Sequence, residues 1–322
     1  MQKRSVLIYA EQEGGKLHPI CLELLGKGRE LADKSGGSVS CALLGSDVSA
    51  VAPELVAHGA DTVYVFDDPS LATFDALAYK QNLAPLVKET GPSLVLFGAT
   101  FSGKSLAPRV ATALEAGLTS NCTAIELQDD GSMLQVRPAF TGNFLAYVKT
   151  KSSPAMASVR YRALEAASKD LSRKGQIVKR PVVASPAPIK VLGKGAPKEA
   201  SIAAANVVVC AGRGLKKPED FALVKRLADA LGGVVGATRP LVDDGWISKD
   251  HQVGFSGTIV KPKLYIGVGV SGSPQHLAGM RESGTIVAIN SDPSVALFRI
   301  ADYAVVGDMY EVIPQMLQKL GK

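Results

Sequence analysis

The sequence predicts an α/β protein of two domains, on three observations. Through residue 160 the chain alternates between short apolar strand patterns and helix-period patterns. A proline- and glycine-rich stretch follows at residues 181–200, and the alternation resumes at Asn206. Its 322 residues are 46% apolar and 20% charged, enough for both halves to bury a core. Aromatics are only 6% and glycines number 32, which favours tight strand-to-helix turns over an aromatic-rich sandwich.

Ser5–Ala10 reads as a strand, and Pro19–Lys34 as a helix through Ile20, Leu24, Leu31 and Ala32. Strands at Ser38–Leu44, Thr62–Phe66 and Ser93–Phe97 then alternate with helices at Ala50–His58, Ala76–Thr90 and Lys104–Glu115. This order implies a Rossmann-like, mainly parallel sheet with helices on both faces. Thr123–Leu127, Met133–Pro138, Asn143–Lys149 and Ala155–Arg160 read as strands of an antiparallel extension, separated by Asp-Gly and Thr-Gly turns. The domain therefore spans 1–190, and 191–205 is a linker. The second domain, 206–322, reads as a doubly wound parallel sheet. Its strands are Asn206–Cys210, Lys263–Ile266, Thr285–Ile289 and Tyr303–Val306, with helices at Pro218–Leu231 and Met309–Leu320.

Several classes are excluded. No apolar stretch approaches the ~20 residues of a membrane helix, and the N-terminus runs into a strand without a signal-peptide core. Cys21, Cys41, Cys122 and Cys210 are scattered, which argues for reduced core thiols, no metal site and a cytoplasmic protein. The net charge of +6 is local: residues 149–198 hold 12 basic and 2 acidic residues. That stretch has one aromatic, Tyr161, and no nucleic-acid motif, so it reads as a solvated connecting region with no nucleic-acid partner.

Three glycine motifs carry the chemistry. Gly98-Ala-Thr-Phe-Ser-Gly103-Lys104-Ser105 matches a phosphate-binding loop, yet no later strand of its domain ends in the aspartate that magnesium needs. A capped helix after a tight turn explains it better. Gly267-Val-Gly269-Val-Ser-Gly272 follows a strand and precedes a helix start at Ser273-Pro274, as a pyrophosphate site requires. Gly212-Arg213-Gly214 and Gly236-Ala-Thr238-Arg239 both set an arginine at a strand's carboxyl end, where open α/β sheets bind ligands. Together they predict a site for an anionic dinucleotide. A dehydrogenase using nicotinamide would need a second catalytic constellation, and none is evident.

These motifs resemble the alpha subunit of electron transfer flavoproteins. The signature runs through Leu264-Tyr-Ile-Gly-Val-Gly-Val-Ser-Gly-Ser-Pro-Gln-His276-Leu-Ala-Gly-Met280 and Ile286-Val-Ala-Ile-Asn290. Gly212-Arg-Gly214, Val235-Gly-Ala-Thr-Arg239, Gln252-Val-Gly-Phe-Ser-Gly257 and Gly307-Asp308 fall in the family's order. The resemblance implies one FAD held by the C-terminal domain, a beta subunit as partner, and electron shuttling between a flavin-dependent dehydrogenase and an acceptor. Ala116-Gly-Leu-Thr-Ser-Asn-Cys-Thr123, with Arg137-Pro-Ala-Phe-Thr-Gly-Asn143, is closer to flavin-bifurcating members.

By that resemblance, Arg213, Thr238, Ser271, Gln275 and His276 lie along pyrophosphate, ribityl chain and flavin, and Asn290 and Asp308 hold the adenosine end. Arg239 lies against the isoalloxazine, Ser256 near its N5, and His276 at its N1/O2 edge. Gln252, Val253, Gly254, Phe255, Gly272, Ser273, Pro274 and Met309 complete the implied site. A fixed guanidinium stabilises the negative charge of a reduced flavin, and a hydroxyl at N5 tunes its potential. Read alone, Arg239 is a helix-terminal surface arginine and His276 a solvated first-turn residue. Phe255 replaces a common polar residue and Ser273-Pro274 a common Ala-Ile, so a side-chain hydrogen bond at 255 is lost.

Overall fold

The strand–helix alternation of the first half builds a seven-stranded parallel sheet in a computed structural model that describes residues 4–139, 144–183 and 202–321. In chain order come β1 (Val6–Ala10), the two-residue strands β2 (Gln12–Glu13) and β3 (Lys16–Leu17), α1 (Ile20–Ser35), β4 (Val39–Gly45) and α2 (Ala52–Ala57). Next are β5 (Thr62–Asp67), α3 (Ala76–Thr90), β6 (Leu94–Gly98), α4 (Phe101–Ala113) and β7 (Leu118–Cys122). The unit ends with β8 (Ala124–Leu127), β9 (Met133–Ala139), β10 (Phe144–Lys149), β11 (Ala155–Val159) and β12 (Gln176–Lys179). The large sheet has the order β12-β5-β4-β1-β6-β11-β7. Val6 and Ile8 pack towards α1 and α2, whereas Leu7 and Tyr9 pack towards α3 and α4. Because both faces are covered, β1 is apolar along its whole length instead of alternating.

Two expectations are corrected here. Only β8, β9 and β10 form the antiparallel extension; β11 inserts between β6 and β7 as a parallel strand. All five of its residues are buried, as a strand covered on both faces must be. The basic stretch is also more than a connector, for it supplies β11 and β12 and is strapped to acids. Asp61 takes Arg29 at 2.7 Å and Arg173 at 3.1 Å, Arg180 pairs with Glu89, and the buried Glu23 accepts the backbone N–H groups of Arg162 and Leu164. Of the expected linker, residues 191–201 lie outside the described residues. Ile202, 3% exposed, already belongs to the second unit's core.

The phosphate-loop pattern forms no cradle. Thr100 caps α4, its hydroxyl accepting from Gly103 N at 2.9 Å and donating to Glu11 at 2.6 Å. A Cβ on Gly103 would lie 1.9 Å from Gly98 O. The first turn of α4 is thus satisfied by a hydroxyl that is itself held by the buried Glu11 carboxylate.

The second unit contains β13 (Val207–Ala211), α5 (Phe221–Ala230), β14 (Val234–Ala237), α6 (Arg239–Asp243), β15 (Leu264–Val268), α7 (Pro274–Leu277), β16 (Thr285–Asn290), β17 (Tyr303–Val306) and α8 (Met309–Lys319). Its parallel sheet has the order β14-β13-β15-β16-β17, with α5 and α8 on one face. Strand order reverses between β13 and β15, the place where such sheets bind ligands at their carboxyl ends. There the two glycine loops touch: Gly214 N donates to Gly269 O at 3.0 Å and Gly212 N to Val268 O at 2.9 Å. Gly269 has φ +63°, and a Cβ on it would lie 2.7 Å from the Gly214 Cα. These glycines therefore serve backbone against backbone.

Gly269→Ala should destabilise this unit by on the order of 2–4 kcal/mol, from left-handed strain plus overlap. Gly232→Ala, at φ +64° with nothing within 4 Å, should cost only about 1 kcal/mol. Urea denaturation of the two variants checks the contrast; equal losses would remove the role given to the loop contact.

Candidate functional site

Where β14 ends, Thr238 turns the chain into α6, its N–H bonded to Ala211 O at 2.9 Å. The segment 252–258 then returns alongside: Val253 N bonds to Ala237 O at 2.9 Å and Thr258 N to Gln252 O at 2.7 Å. Phe255 N donates to Gln275 O at 2.8 Å, which ties that segment to α7. Gly254 has φ +146°, and Gly279 packs so closely on it that a Cβ would lie 2.4 Å from the Gly254 Cα. Between these elements lies a cleft of about 290 Å³. Its lining comes from Thr238, Arg239, Pro240 and Asp243 on one side, Gln252, Val253, Gly254, Phe255 and Ser256 on another, and Ser273, Gln275 and His276 on the third.

The cleft's polar groups differ in how far they are committed. Thr238 is 9% exposed and its hydroxyl has no hydrogen-bond partner, although burying a hydroxyl unpaired is unfavourable. That atom fits a ligand with an acceptor or donor to offer. Arg239 is exposed, its Nε donating to Asp243 one turn along at 3.0 Å. Ser256 accepts from Gln252 Nε2 at 3.0 Å, which leaves its own hydrogen to donate. His276 is 4% exposed, with Nε2 at 2.7 Å from the Tyr265 hydroxyl and Nδ1 at 3.1 Å from Val253 O. Burial pushes its pKa down to about 4. It is neither a solvated residue nor one with a ring nitrogen open to the cleft.

Ten of the sequence-predicted residues line this cleft: Thr238, Arg239, Gln252, Val253, Gly254, Phe255, Ser256, Ser273, Gln275 and His276. The others lie elsewhere. Arg213 and Ser271 are exposed in the loops after β13 and β15, Pro274 is exposed at the start of α7, and Gly272, at φ +83°, packs on Leu297 N. Asn290 bonds Val270 O at 3.1 Å, and Asp308 caps α8 by accepting from Tyr310 N at 2.8 Å. Met309, 5% exposed, is a core residue. Sequence reading missed Pro240 and Asp243; the latter's spacing of four from Arg239 was the available signal. A second hollow of about 490 Å³ lies between α5 and the edge of β14, walled by Phe221, Trp246, Ile247 and His251. Lys225 and Asp229, an ion pair at 3.2 Å one turn apart on α5, also border it, and none of the sequence-predicted site residues does. Among the described residues no group of His, Cys, Asp and Glu could hold a metal, and no helix is long and apolar enough to cross a membrane.

Residues 6–185 match the electron transfer flavoprotein domain and residues 201–281 the electron transfer flavoprotein FAD-binding domain. The chain is 43% identical to an electron transfer flavoprotein subunit alpha of Thermoanaerobacterium thermosaccharolyticum, over 99% of this chain and 98% of that one. It is 40% identical to the subunit of the same name from Megasphaera elsdenii, over 99% and 97%. It is 38% identical to the lactate dehydrogenase (NAD(+),ferredoxin) subunit LctC of Acetobacterium woodii, over 98% of this chain and 76% of that one.

The buried imidazole gives a pH prediction. His276 binds a proton more weakly folded, at about 4, than unfolded, at the ordinary 6.5, so the unfolded state gains protons first as pH falls. Stability is full above 6.5 and drains away as pH drops towards 4. Denaturation midpoints across that range should fall less steeply in His276→Gln than in the parent. Equal slopes would contradict a buried neutral imidazole.

Proposed function

This chain belongs to the electron transfer flavoprotein family as an alpha subunit, and we propose that its FAD sets the isoalloxazine in the Thr238–Arg239 cleft and the adenosine along the sheet's carboxyl edge. It is an electron carrier, with FAD as its cofactor. Alpha subunits of this family pair with a beta subunit. The observation that carries the placement is the Thr238 hydroxyl, buried and unpartnered in a cleft where Arg239, Gln252, Ser256 and His276 are each tied to a neighbour. Thr238 and Gln275 would hold the ribityl chain, Ser256 would donate at N5, and Arg239 would face the ring. Arg213 and Ser271 would take the pyrophosphate, and Asn290 and Asp308 the adenosine. Bound there, FAD supplies one- and two-electron chemistry, while this chain's residues orient the ring, exclude water and set the charge beside it.

The electron donor we propose is a flavin-dependent dehydrogenase, such as an acyl-CoA dehydrogenase. Four buried free thiols support a cytoplasmic location. A second reading, part of a bifurcating complex that couples NADH oxidation to ferredoxin and a second acceptor, is favoured by the relative named for NAD(+) and ferredoxin. Counting flavins per particle and assaying NADH-driven ferredoxin reduction separates the two. Purifying the chain with its beta subunit and identifying the released cofactor tests the placement at its root, and a colourless particle would refute it.

Arg239 and Asp243 give the sharper prediction. A charge-assisted contact is worth roughly 1–3 kcal/mol, so Arg239→Ala should lower the potential for the first electron by roughly 50–130 mV. Asp243→Asn should raise that potential by a smaller amount, since it removes the counter-charge from the guanidinium. FAD content should fall only partly in either variant. Spectroelectrochemical titration reads both shifts, and unchanged potentials would leave the arginine a surface residue.

A further inference from the structure

We propose that Tyr265 is a positioning residue: its buried hydroxyl donates to Nε2 of His276 and fixes the imidazole as the neutral Nδ1–H tautomer, leaving Arg239 as the cation among the cleft's lining residues.

The argument starts from what each partner can do. The Val253 carbonyl only accepts, so the 3.1 Å contact to Nδ1 requires the proton on Nδ1. On a neutral ring Nε2 is then a lone pair, and the Tyr265 hydroxyl at 2.7 Å is its donor. A cationic ring would put a full charge in a space 4% exposed, with no carboxylate bonded to it. Tyr265 itself is wholly buried on β15, in the same core cluster as Cys210 of β13. Burial raises both the phenol and the thiol well above their ordinary values, so neither gives up its proton near neutrality. Other elements bring little charge: α6 contributes Arg239 with Asp243, the 252–258 segment has no ionisable side chain, and α7 has only His276.

The ring thus enters the cleft with both nitrogens spent. This departs from the role that resemblance gives His276 at a flavin's N1/O2 edge, where a ring nitrogen would face the cofactor. The consequence for the flavin rests on the placement proposed above; the tautomer does not.

The test is ¹⁵N NMR of the alpha–beta particle labelled at histidine, with the His276 signals identified by their loss in His276→Gln. The parent should show a protonated Nδ1 and a bare Nε2, without titration between about pH 5 and 8. Tyr265→Phe should raise the titration midpoint by about one pH unit, a tenfold gain in proton affinity. FAD content should stay within about twofold, because the tyrosine does not line the cleft. A parent His276 with its proton on Nε2, or one that titrates in that window, overturns the proposal, as does a Tyr265→Phe spectrum like the parent's. If that variant fails to fold, the parent spectrum alone decides. A parent particle that lacks FAD refutes the cleft placement and leaves the tautomer result standing.

Discussion

The second unit's ligand edge depends on how closely two backbones approach. Gly212 N bonds Val268 O at 2.9 Å and Gly214 N bonds Gly269 O at 3.0 Å, which locks the loops after β13 and β15 together. No side chain fits between them. That contact joins the two loops at the point where strand order reverses, and the cleft opens to one side, at the end of β14. The glycine signature is thus first a packing device. Its part in cofactor binding follows from the surface it shapes.

The cleft itself is held by backbone bonds and by polar side chains satisfied behind it. Gln252 steadies Ser256, Val253 and Tyr265 steady His276, and Gln275 O fixes Phe255. Phe255 is 58% exposed although its backbone is clamped, so the ring stands at the rim without a mobile loop beneath it. The unmet group is Thr238. A site that satisfies its framework and leaves one buried hydroxyl unmatched is organised before its ligand arrives, which lowers the cost of ordering on binding.

Much of this was legible in the residues, for local reasons. The helix at Ala76–Thr90 is right to the residue because Asp75 caps its start and Gly91 ends it. α4 begins three residues before the expected Lys104 because Thr100 is its cap, hidden by the phosphate-loop pattern. β7, Leu-Thr-Ser-Asn-Cys, and β12, Gln-Ile-Val-Lys, are edge strands too polar to read as strands. β11 was legible as a strand but its neighbours were not, since burial is written locally and pairing is not. In the cleft, resemblance brought out the lining residues. It could not bring out Tyr265, whose part is set by an angle and a distance between β15 and α7.

The insertion of β11 also dictates an order of assembly. β7 touches the sheet only through β11, which follows it in the chain by more than thirty residues and carries the antiparallel extension between them. Until residue 159 has left the ribosome, β6 is an unsheltered sheet edge with open N–H and C=O groups, and β7 has no strand to join. The four-strand core β5-β4-β1-β6 can gather early, since its connections are short. The other three parallel strands, β7, β11 and β12, must wait. A nascent chain of this protein therefore passes through a window in which an edge of apolar, later fully buried strand residues faces water, the kind of exposure that makes a folding chain prone to aggregate.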